Sequence, residues 1–367
     1  MQLRATKDRL AAILSPFRRY WLTMAFIFGF ITDLLLLDTV DDTLDNAILL
    51  FYVVLSTVSL VALYIGIAER VPFKLARFMC TYSPLAIQYA FGGLLSGMLI
   101  FYGRSGDIFA SWPFLFLVIG AIAGNELASN RAQRLVLNLS LYFIGLFSYL
   151  VLVIAVFSGR TEAWVFFASG LLALLVVSLL IKLLTRIIPQ FMRLQMRALV
   201  FSLGIIFVTI NTLYITSILP PIPLSLKEIT IAQSVVRYDA TNEYEVRHVP
   251  VPWWNISQQF NQTFHPTSGG GVACFANVFA PVRLSTTVEH VWEYQNPTTG
   301  EWEEYFTLGY PISGSATDGY RGYTAIQNFQ PGQWRCVVQT TRGQVLGQQR
   351  FVIDTSQAPT NVEVRVE

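Results

Sequence analysis

Residues 198–223 read ALVFSLGIIFVTINTLYITSILPPIP, and this stretch decides how the chain is organised. The run from Ala198 to Ile218 is apolar and uncharged, and about 20 such residues in a helix span the hydrocarbon core of a bilayer. Leu219 then opens a proline-rich segment, and prolines stiffen a chain into an extended spacer. The sequence therefore predicts a membrane helix that ends near Ile218, with a different kind of chain beyond it.

The composition of the whole chain agrees with a membrane protein. Of its 367 residues, 53% are hydrophobic and only 13% are charged, which lies outside the range of soluble proteins. The 25 basic and 23 acidic residues leave a net charge of +2, so nucleic-acid binding and a disordered acidic tail are not indicated. Up to Ile218 there are 16 basic and 10 acidic residues, against 9 and 13 afterwards, so the two parts meet different environments.

Seven apolar segments within residues 20–218 are long enough to be membrane helices, because a helix satisfies its own backbone hydrogen bonds in lipid. They are Tyr20 to Leu37, Ala47 to Ile67, Tyr82 to Tyr102, Ile108 to Gly124, Leu135 to Phe157, Ala163 to Leu184 and Ala198 to Ile218. The fold class we expect is an α-helical integral membrane bundle of seven transmembrane helices, followed by an all-β domain.

The basic residues of the connections indicate the orientation, because Lys and Arg are retained on the cytoplasmic side. Fourteen lie in alternate connections: Arg4, Lys7, Arg9, Arg18, Arg19, Arg70, Lys74, Arg77, Arg131, Arg134, Lys182, Arg186, Arg193 and Arg197. The other side has only Arg104 and Arg160. We expect a cytoplasmic amino terminus over residues 1–19, a linker over 219–227 and an extracytoplasmic domain over 228–367. A cleaved signal peptide is the alternative for the first segment, but no small-residue cleavage site follows it.

Small residues suggest how two of the helices pack. Gly93 with Gly97, and Gly120 with Gly124, have the spacing that lets helix backbones approach closely. We expect these pairs to meet in a hairpin. The alternative is that glycine is simply common in membrane helices.

Few ionisable groups lie in the helical segments, and a transporter would normally need several. Asp33, Glu126 and Lys182 are near helix ends, where such groups stay wet, although a proton or ion relay is the alternative. Gln88, Asn138 and Asn211 lie deeper. Polar contacts between helices account for those three.

Metal binding and catalysis find little support. The loop from Asp38 to Asn46 holds four carboxylates and invites a calcium hypothesis, but it lacks the spacing of an EF-hand and fits an exposed acidic loop. Ser96 has a glycine-rich, nucleophile-like setting, yet no histidine precedes His248 to serve as its base. We assign no catalytic residue, no metal and no cofactor.

The carboxyl-terminal part has the pattern of an all-β domain, with runs of Val, Thr, Tyr, Phe and Trp between turn residues. We expect strands near Ile229 to Tyr238, Glu243 to Val249, Gly271 to Phe279, Thr286 to Tyr294, Trp302 to Leu308, Gly322 to Gln327, Trp334 to Thr340 and Val345 to Ile353. The order of Cys274, Trp292 and Cys336 is typical of an immunoglobulin-like sandwich with a bridge beside a tryptophan. A Cys274–Cys336 disulfide is thus a candidate, and two buried free thiols are the alternative.

A candidate ligand surface lies in the same part. His290, Trp292, Arg321 and Tyr323 combine aromatic rings and a cation, which suit a sugar, a peptide or an anion. The alternative is that His290 and Trp292, which period-two alternation places on one face, belong to the core. The three histidines lack metal-ligand spacing, so a zinc site is not expected.

Several short motifs, in order along the chain, resemble those of a bacterial family of multi-pass proteins that end in a domain of unknown function, DUF2914. They are Asp42 to Asn46, Gln88 to Leu94, Ser111 to Phe114, Gly124 to Glu126, Ser169 to Leu171, His290 to Trp292, Pro331 to Arg335 and Gly343 to Gly347. The resemblance implies a protein of the bacterial cytoplasmic membrane with an extracytoplasmic β domain and no established activity. Cys336 stands where the family pattern has an aliphatic residue, so a bridge would be particular to this chain.

The function we expect is a non-enzymatic envelope protein whose helices anchor an outward β-sandwich that binds a ligand, an envelope protein or a glycan. The lipid bilayer is its other partner, nucleic acid is not expected, and the oligomeric state is left open. A transporter or channel lined by Gln88, Asn138 and Asn211 is the first alternative. An enzyme that acts on lipid or cell-wall substrates through His290 is the second.

Overall fold

A computed structural model of the chain describes most of its residues. The described residues are 20–33, 35, 43–104, 108–127, 135–160, 162–219, 224–238, 243–252, 254–255, 258–259, 261–267, 269–280, 285–313, 319–359 and 361–367. They form two compact units. All strands lie in the second unit, which includes the chain from Thr216 onward, and most helical residues lie in the first.

Within the described residues, seven helices precede the strands. They are α1 (Tyr20–Asp33), α2 (Thr43–Ile67), α3 (Phe73–Arg104), α4 (Ile108–Leu127), α5 (Leu135–Ser158), α6 (Ala163–Ile187) and α7 (Pro189–Ile215). By length and composition, α2, α3, α5, α6 and α7 are long and apolar enough to cross a membrane. The described part of α1 is a shorter apolar helix. Membrane length is thus established for five helices, not for all seven that the sequence predicts.

The long helices leave large apolar side chains uncovered. Phe51 on α2 is 54% exposed, Leu171 on α6 is 62% exposed and Phe201 on α7 is 70% exposed. In the most apolar stretch of α3 and of α5, 72% of the residues are buried, against 22% in α7. The apolar surface of α7 therefore needs an apolar environment that the described protein does not supply.

The glycines of the helical unit form a different contact from the expected hairpin. A Cβ on Gly92 of α3 would overlap the carbonyl oxygen of Phe26, and one on Gly29 of α1 would overlap that of Tyr89. Gly93 lies against the ring of Tyr52 on α2. Among the described atoms, nothing lies within 4 Å of a Cβ added to Gly120 or Gly124, and these two residues therefore do not form the close approach to Gly93 and Gly97. The small residues instead bring α1 and α3 together.

A polar contact joins α3 and α4. The side-chain amide of Asn125 donates to the Gln88 oxygen at 2.7 Å, and the Gln88 amide donates back to Asn125 at 3.3 Å. Both residues are buried, and each amide supplies the donor and the acceptor that the other needs. A reciprocal amide pair thus joins the two helices where the sequence suggested glycine packing.

The described part of the second unit contains eleven strands. They are β1 (Ser225–Ala232), β2 (Ser234–Tyr238), β3 (Glu243–His248), β4 (Asn261–Phe264), β5 (Val272–Phe279), β6 (Ser285–Gln295), β7 (Trp302–Ser313), β8 (Tyr320–Ile326), β9 (Gly332–Thr340), β10 (Val345–Ile353) and β11 (Glu363–Val366). Their sheet orders are β1-β5-β8, β4-β10-β9-β6-β7 and β11-β3-β2. The β-rich region is confirmed, although the first expected strand divides at Gln233 and the short strands β4 and β11 escaped prediction.

The sheet β1-β5-β8 is the middle layer of this unit. One face packs against the five-stranded sheet, where Cys274 and Ile326 meet Trp292 and Phe351. The opposite face of β5, which carries Phe275, packs against β2 and β3. Every residue of β5 is therefore buried, because both of its faces are covered. The third sheet adds a layer to the two expected of an immunoglobulin-like sandwich.

The close approach of α1 and α3 predicts a sharp difference between two Gly→Ala substitutions. Gly92→Ala should destabilise the helical unit by about 1–3 kcal/mol, because the new methyl group meets the backbone of α1, which cannot rotate away. Gly120→Ala is the matched control, which should be neutral or stabilise by up to about 1 kcal/mol. The melting temperatures of the two detergent-solubilised variants test this expectation. Equal melting temperatures would show that α1 and α3 do not pack at Gly92.

Candidate functional site

A disulfide bridge joins the middle sheet to the five-stranded sheet at the centre of the second unit. Cys274 on β5 and Cys336 on β9 form the bridge, with their Cα atoms 6.5 Å apart. Both residues are fully buried. Trp292 of β6 is paired in register with Cys336, so its indole lies on the same face of the sheet, beside the bridge.

The buried His290 is held by hydrogen bonds on both ring nitrogens. Its Nδ1 lies 3.1 Å from the hydroxyl of Thr324, and its Nε2 lies 3.0 Å from the hydroxyl of Tyr310. Thr324 also accepts a 2.8 Å hydrogen bond from the indole N–H of Trp292. One nitrogen of a neutral imidazole donates and the other accepts, so the two hydroxyls satisfy the neutral ring. Burial lowers the pKa of His290 to about 4.

Metal binding at this place would need ligand atoms that are already in use. The side chains of Cys274, His290 and Cys336 bring their ligand atoms within 4.8 Å of one another. The two sulfurs are bonded to each other, and both nitrogens of His290 have hydroxyl partners. In the bridged state this cluster stabilises the core and offers a metal no free ligand atom.

The four residues of the expected ligand surface lie on opposite sides of the middle sheet. His290 and Trp292 are fully buried and point toward Thr324 of β8. Tyr323 alternates with Thr324 along β8 and is 38% exposed, with its ring edge-to-face on Tyr244. Because successive residues of a strand face opposite ways, the four side chains do not form one surface. The structure instead places His290 and Trp292 in the core.

Arg321 belongs to the side that carries Tyr323. Its Nε lies 4.0 Å from the carboxylate of Glu367, and its backbone carbonyl accepts a hydrogen bond from the hydroxyl of Tyr244 at 3.1 Å. Arg321 and Tyr323 thus lie near the third sheet and the end of the chain. A ligand role for these two residues stays a prediction.

Sequence reasoning overlooked a cavity of about 240 Å³ in the second unit. Its described polar lining consists of Thr230, His248, Gln258, Gln259, Gln262 and Gln349. We call this the glutamine cavity. The signal in the sequence is the cluster of amides in residues 258–262, which follows two tryptophans. Nothing local in the sequence indicates that Gln349, on β10, completes the lining.

Within the helical unit, Asp33 lies in an unexpected place. Asp33 at the end of α1 is fully buried, although a position near a helix end suggested a wet carboxylate. The hydroxyl of Ser96 on α3 donates to its Oδ2 at 2.8 Å. The burial of Asp33 and its bond to Ser96 correct the expectation of a solvated group.

The other polar residues singled out in the helices differ in their surroundings. Lys182 is exposed, and the side chain of Glu126 lies outside the described part of the chain. Asn138 and Asn211 are buried, and the Asn211 amide donates to the carbonyl of Phe207 at 2.7 Å. Of the acidic loop, Asp38, Asp41 and Asp42 lie outside the described residues, and Asp45 is buried.

The architecture is that of a chain with several membrane-length helices and a strand-rich carboxyl-terminal unit. Residues 285–353, from β6 to β10, match the model of a family described as "Protein of unknown function (DUF2914)". The resemblance inferred from the short motifs is thereby confirmed for this region. A search of curated proteins finds none that matches the chain.

Among solved structures, one similar chain is the alkylpurine DNA glycosylase AlkC of Pseudomonas fluorescens, bound to DNA that contains an abasic site analog. It is 10% identical, and the alignment covers 82% of this chain and 78% of that one with a TM-score of 0.20. A TM-score this low carries no argument about fold or function.

The buried neutral His290 predicts a pH dependence of stability. Because its folded pKa of about 4 lies below its unfolded value of about 6.5, the unfolded state binds more protons between these pH values. The contribution of the neutral ring to the free energy of unfolding is therefore present above pH 6.5. It is lost as the pH decreases, and the loss reaches about 2 kcal/mol at pH 5. The melting temperature of the full-length protein, followed by tryptophan fluorescence, should fall by several degrees between pH 7 and pH 5.

Two glutamine variants isolate the contribution of this histidine. His290→Gln keeps hydrogen-bonding groups near Thr324 and Tyr310 but cannot titrate, so most of the decrease in melting temperature between pH 7 and pH 5 should disappear. His248→Gln, at a partly exposed position, should show the same decrease as the wild type. An unchanged decrease in His290→Gln would show that His290 is not the group responsible.

Proposed function

We propose that this chain is a non-enzymatic protein of the bacterial cytoplasmic membrane. All seven helices cross the bilayer, the amino terminus is cytoplasmic, and the strand-rich unit is extracytoplasmic. Its facing sheets form an immunoglobulin-like sandwich that binds a ligand or an envelope protein in sensing, scaffolding or envelope assembly. The helices provide the anchor, and the strand-rich unit provides the binding surface.

The observation that carries this proposal is the disulfide in a chain with five membrane-length helices. A bridge between Cys274 and Cys336 persists in an oxidising compartment, which in bacteria lies outside the cytoplasmic membrane. Cys80 of α3, which the charge pattern assigns to the cytoplasmic side, is a free thiol. The positions of these three cysteines agree with the orientation inferred from Lys and Arg.

The surroundings of His290 argue against the enzyme alternative. A catalytic acid or base needs to come within hydrogen-bonding distance of its substrate. His290 is fully buried, and both of its nitrogens are occupied by Thr324 and Tyr310. Its polar atoms satisfy the core and have no path to a substrate in this conformation.

Photo-cross-linking in cells tests the binding function. A photoreactive amino acid at exposed positions of the strand-rich unit, Trp254, Tyr305, Tyr323 or Val364, should give an adduct with an envelope protein or glycan from at least one position. The matched control is Phe201 of α7, which lies within the seventh predicted span, is 70% exposed and should cross-link only to lipid. Lipid adducts or none from all five positions would contradict the proposal.

Asp33 favours a second candidate function, the transport of an ion or solute. Intramembrane carboxyl groups commonly mark proton or ion paths, and this one is fully buried. By contrast, the buried amides Gln88 and Asn125 satisfy each other. Asp33 is therefore a stronger indication of transport than Gln88.

Flux measurements in liposomes test the transport candidate. If the protein transports an ion or solute, Asp33→Asn should reduce the flux more than about tenfold, because the carboxyl no longer binds a proton or cation. Lys182→Gln, at an exposed position, is the control that should keep the flux. The absence of protein-dependent flux, or equal flux in both variants, would rule out a transport role for Asp33.

A further inference from the structure

The glutamine cavity lies where β4 joins the five-stranded sheet. β4 pairs parallel to β10, with Gln262 in register with Phe351. Burial alternates along β4, and Gln262 and Phe264 lie on its buried side. Phe264 enters the hydrophobic core, whereas Gln262 lines the cavity. A buried-side position thus carries a long amide that is uncommon inside proteins.

Backbone interactions hold two of these amides in place. The Gln262 amide donates to the carbonyl of Val249 at 3.3 Å, and the Gln349 amide donates to the carbonyl of Gln259 at 2.9 Å. The second bond ties the segment before β4 to β10 across the cavity. By contrast, the structure records no hydrogen bond from the side-chain amides of Gln258 and Gln259 to any described residue, and both residues are exposed. These two amides are available to a ligand.

The chemistry of the lining suits a neutral, hydroxyl-rich ligand. The polar groups are four carboxamides, the Thr230 hydroxyl and the His248 imidazole, and no Asp, Glu, Lys or Arg belongs to the described lining. Each carboxamide offers a donor and an acceptor, which is what a sugar hydroxyl or acetamido group needs. Ile229, Val249 and Val251 supply an apolar part. The volume of about 240 Å³ is below that of drug-sized pockets and suits one sugar ring of a longer chain.

An exposed tryptophan precedes the cavity in the chain. Trp254 is 69% exposed and lies in a turn in which the Asn255 N–H donates to the carbonyl of Pro252 at 2.9 Å. The Gln259 N–H donates to the carbonyl of Asn255 at 3.1 Å, so this turn continues directly into the amides of the lining. The indole offers a flat apolar surface on which the C–H face of a second sugar ring can stack.

We propose that the glutamine cavity binds one ring of a neutral oligosaccharide of N-acetylated amino sugars, with Gln258 and Gln259 on its polar groups and Trp254 on the neighbouring ring. This inference rests on the proposed function, because such a ligand has to lie on the same side of the membrane as the strand-rich unit. It assigns the ligand class that the proposed function leaves open.

Calorimetric titration of the full-length protein in nanodiscs tests the inference, with the tetramer of β-1,4-linked N-acetylglucosamine as the probe. We expect saturable binding to the wild-type protein. The double variant Gln258→Ala/Gln259→Ala should bind at least about tenfold more weakly, because two ligand hydrogen bonds are lost. Trp254→Ala should weaken binding by a similar factor. Gln357→Ala, at an exposed position outside the lining, is the matched control and should bind like the wild type.

The variants also separate binding from folding. Gln258, Gln259 and Trp254 are exposed, so the melting temperatures of their alanine variants should equal that of the wild type. No binding of the tetramer, or equal binding by all variants, would overturn the inference. So would binding of an extended peptide, in place of the tetramer, that is lost in the same variants.

The failure of this inference can be distinguished from the failure of the proposed function. If the tetramer does not bind but photo-cross-linking still yields an envelope protein adduct, only the saccharide assignment fails. If neither experiment detects a ligand, both fail. If the tetramer binds and the variants behave as expected, both are supported.

Discussion

The apolar outer surface of the long helices constrains the rest of this chain. Large side chains such as Phe201 and Leu171 stay uncovered although water is a poor solvent for them. A helix is one of two backbone structures that lipid tolerates, since its peptide groups bond to one another. Polar groups inside the helical unit must then find partners within the protein. Gln88 with Asn125, and Asp33 with Ser96, are two such pairings.

The buried polar groups of the strand-rich unit also find partners within the protein. The core of this unit contains a histidine, a threonine and two tryptophans, and the hydrogen bonds of Thr324 to His290 and Trp292 leave the polar atoms paired. An unpaired buried polar group costs about 1–3 kcal/mol, so this pairing matters for stability. The disulfide joins the middle sheet to the five-stranded sheet beside Trp292. Core and cavity are thus separate parts of the unit: the polar atoms of His290, Trp292 and Thr324 in the core are paired, whereas the cavity includes two exposed side-chain amides, those of Gln258 and Gln259, that bond to no described residue.

The sequence allowed the types of secondary structure to be predicted, but not which strands pair or which helices pack together. Hydropathy located the helices, and runs of Val, Thr, Tyr, Phe and Trp between turn residues located β5, β6, β9 and β10, because both patterns are local. The short strand β4 has four residues and a parallel partner far along the chain, which local alternation does not reveal. Similarly, glycine spacing indicated close helix packing but not that Gly92 meets α1. The order of the two cysteines and Trp292 suggested a bridge. The burial of His290 was not predictable in the same way, because it depends on β6 packing against the face of β8 that carries Thr324.

The central claim is that the helices place residue Glu367 outside the cytoplasm, and the activity of a fused reporter tests it most directly. Alkaline phosphatase is active only when exported, whereas green fluorescent protein fluoresces when it folds in the cytoplasm. After Glu367 we predict an active phosphatase and a dark fluorescent protein, and the reverse for fusions in the basic connection after α2, at Arg70. A fluorescent fusion with inactive phosphatase at Glu367 would contradict the account.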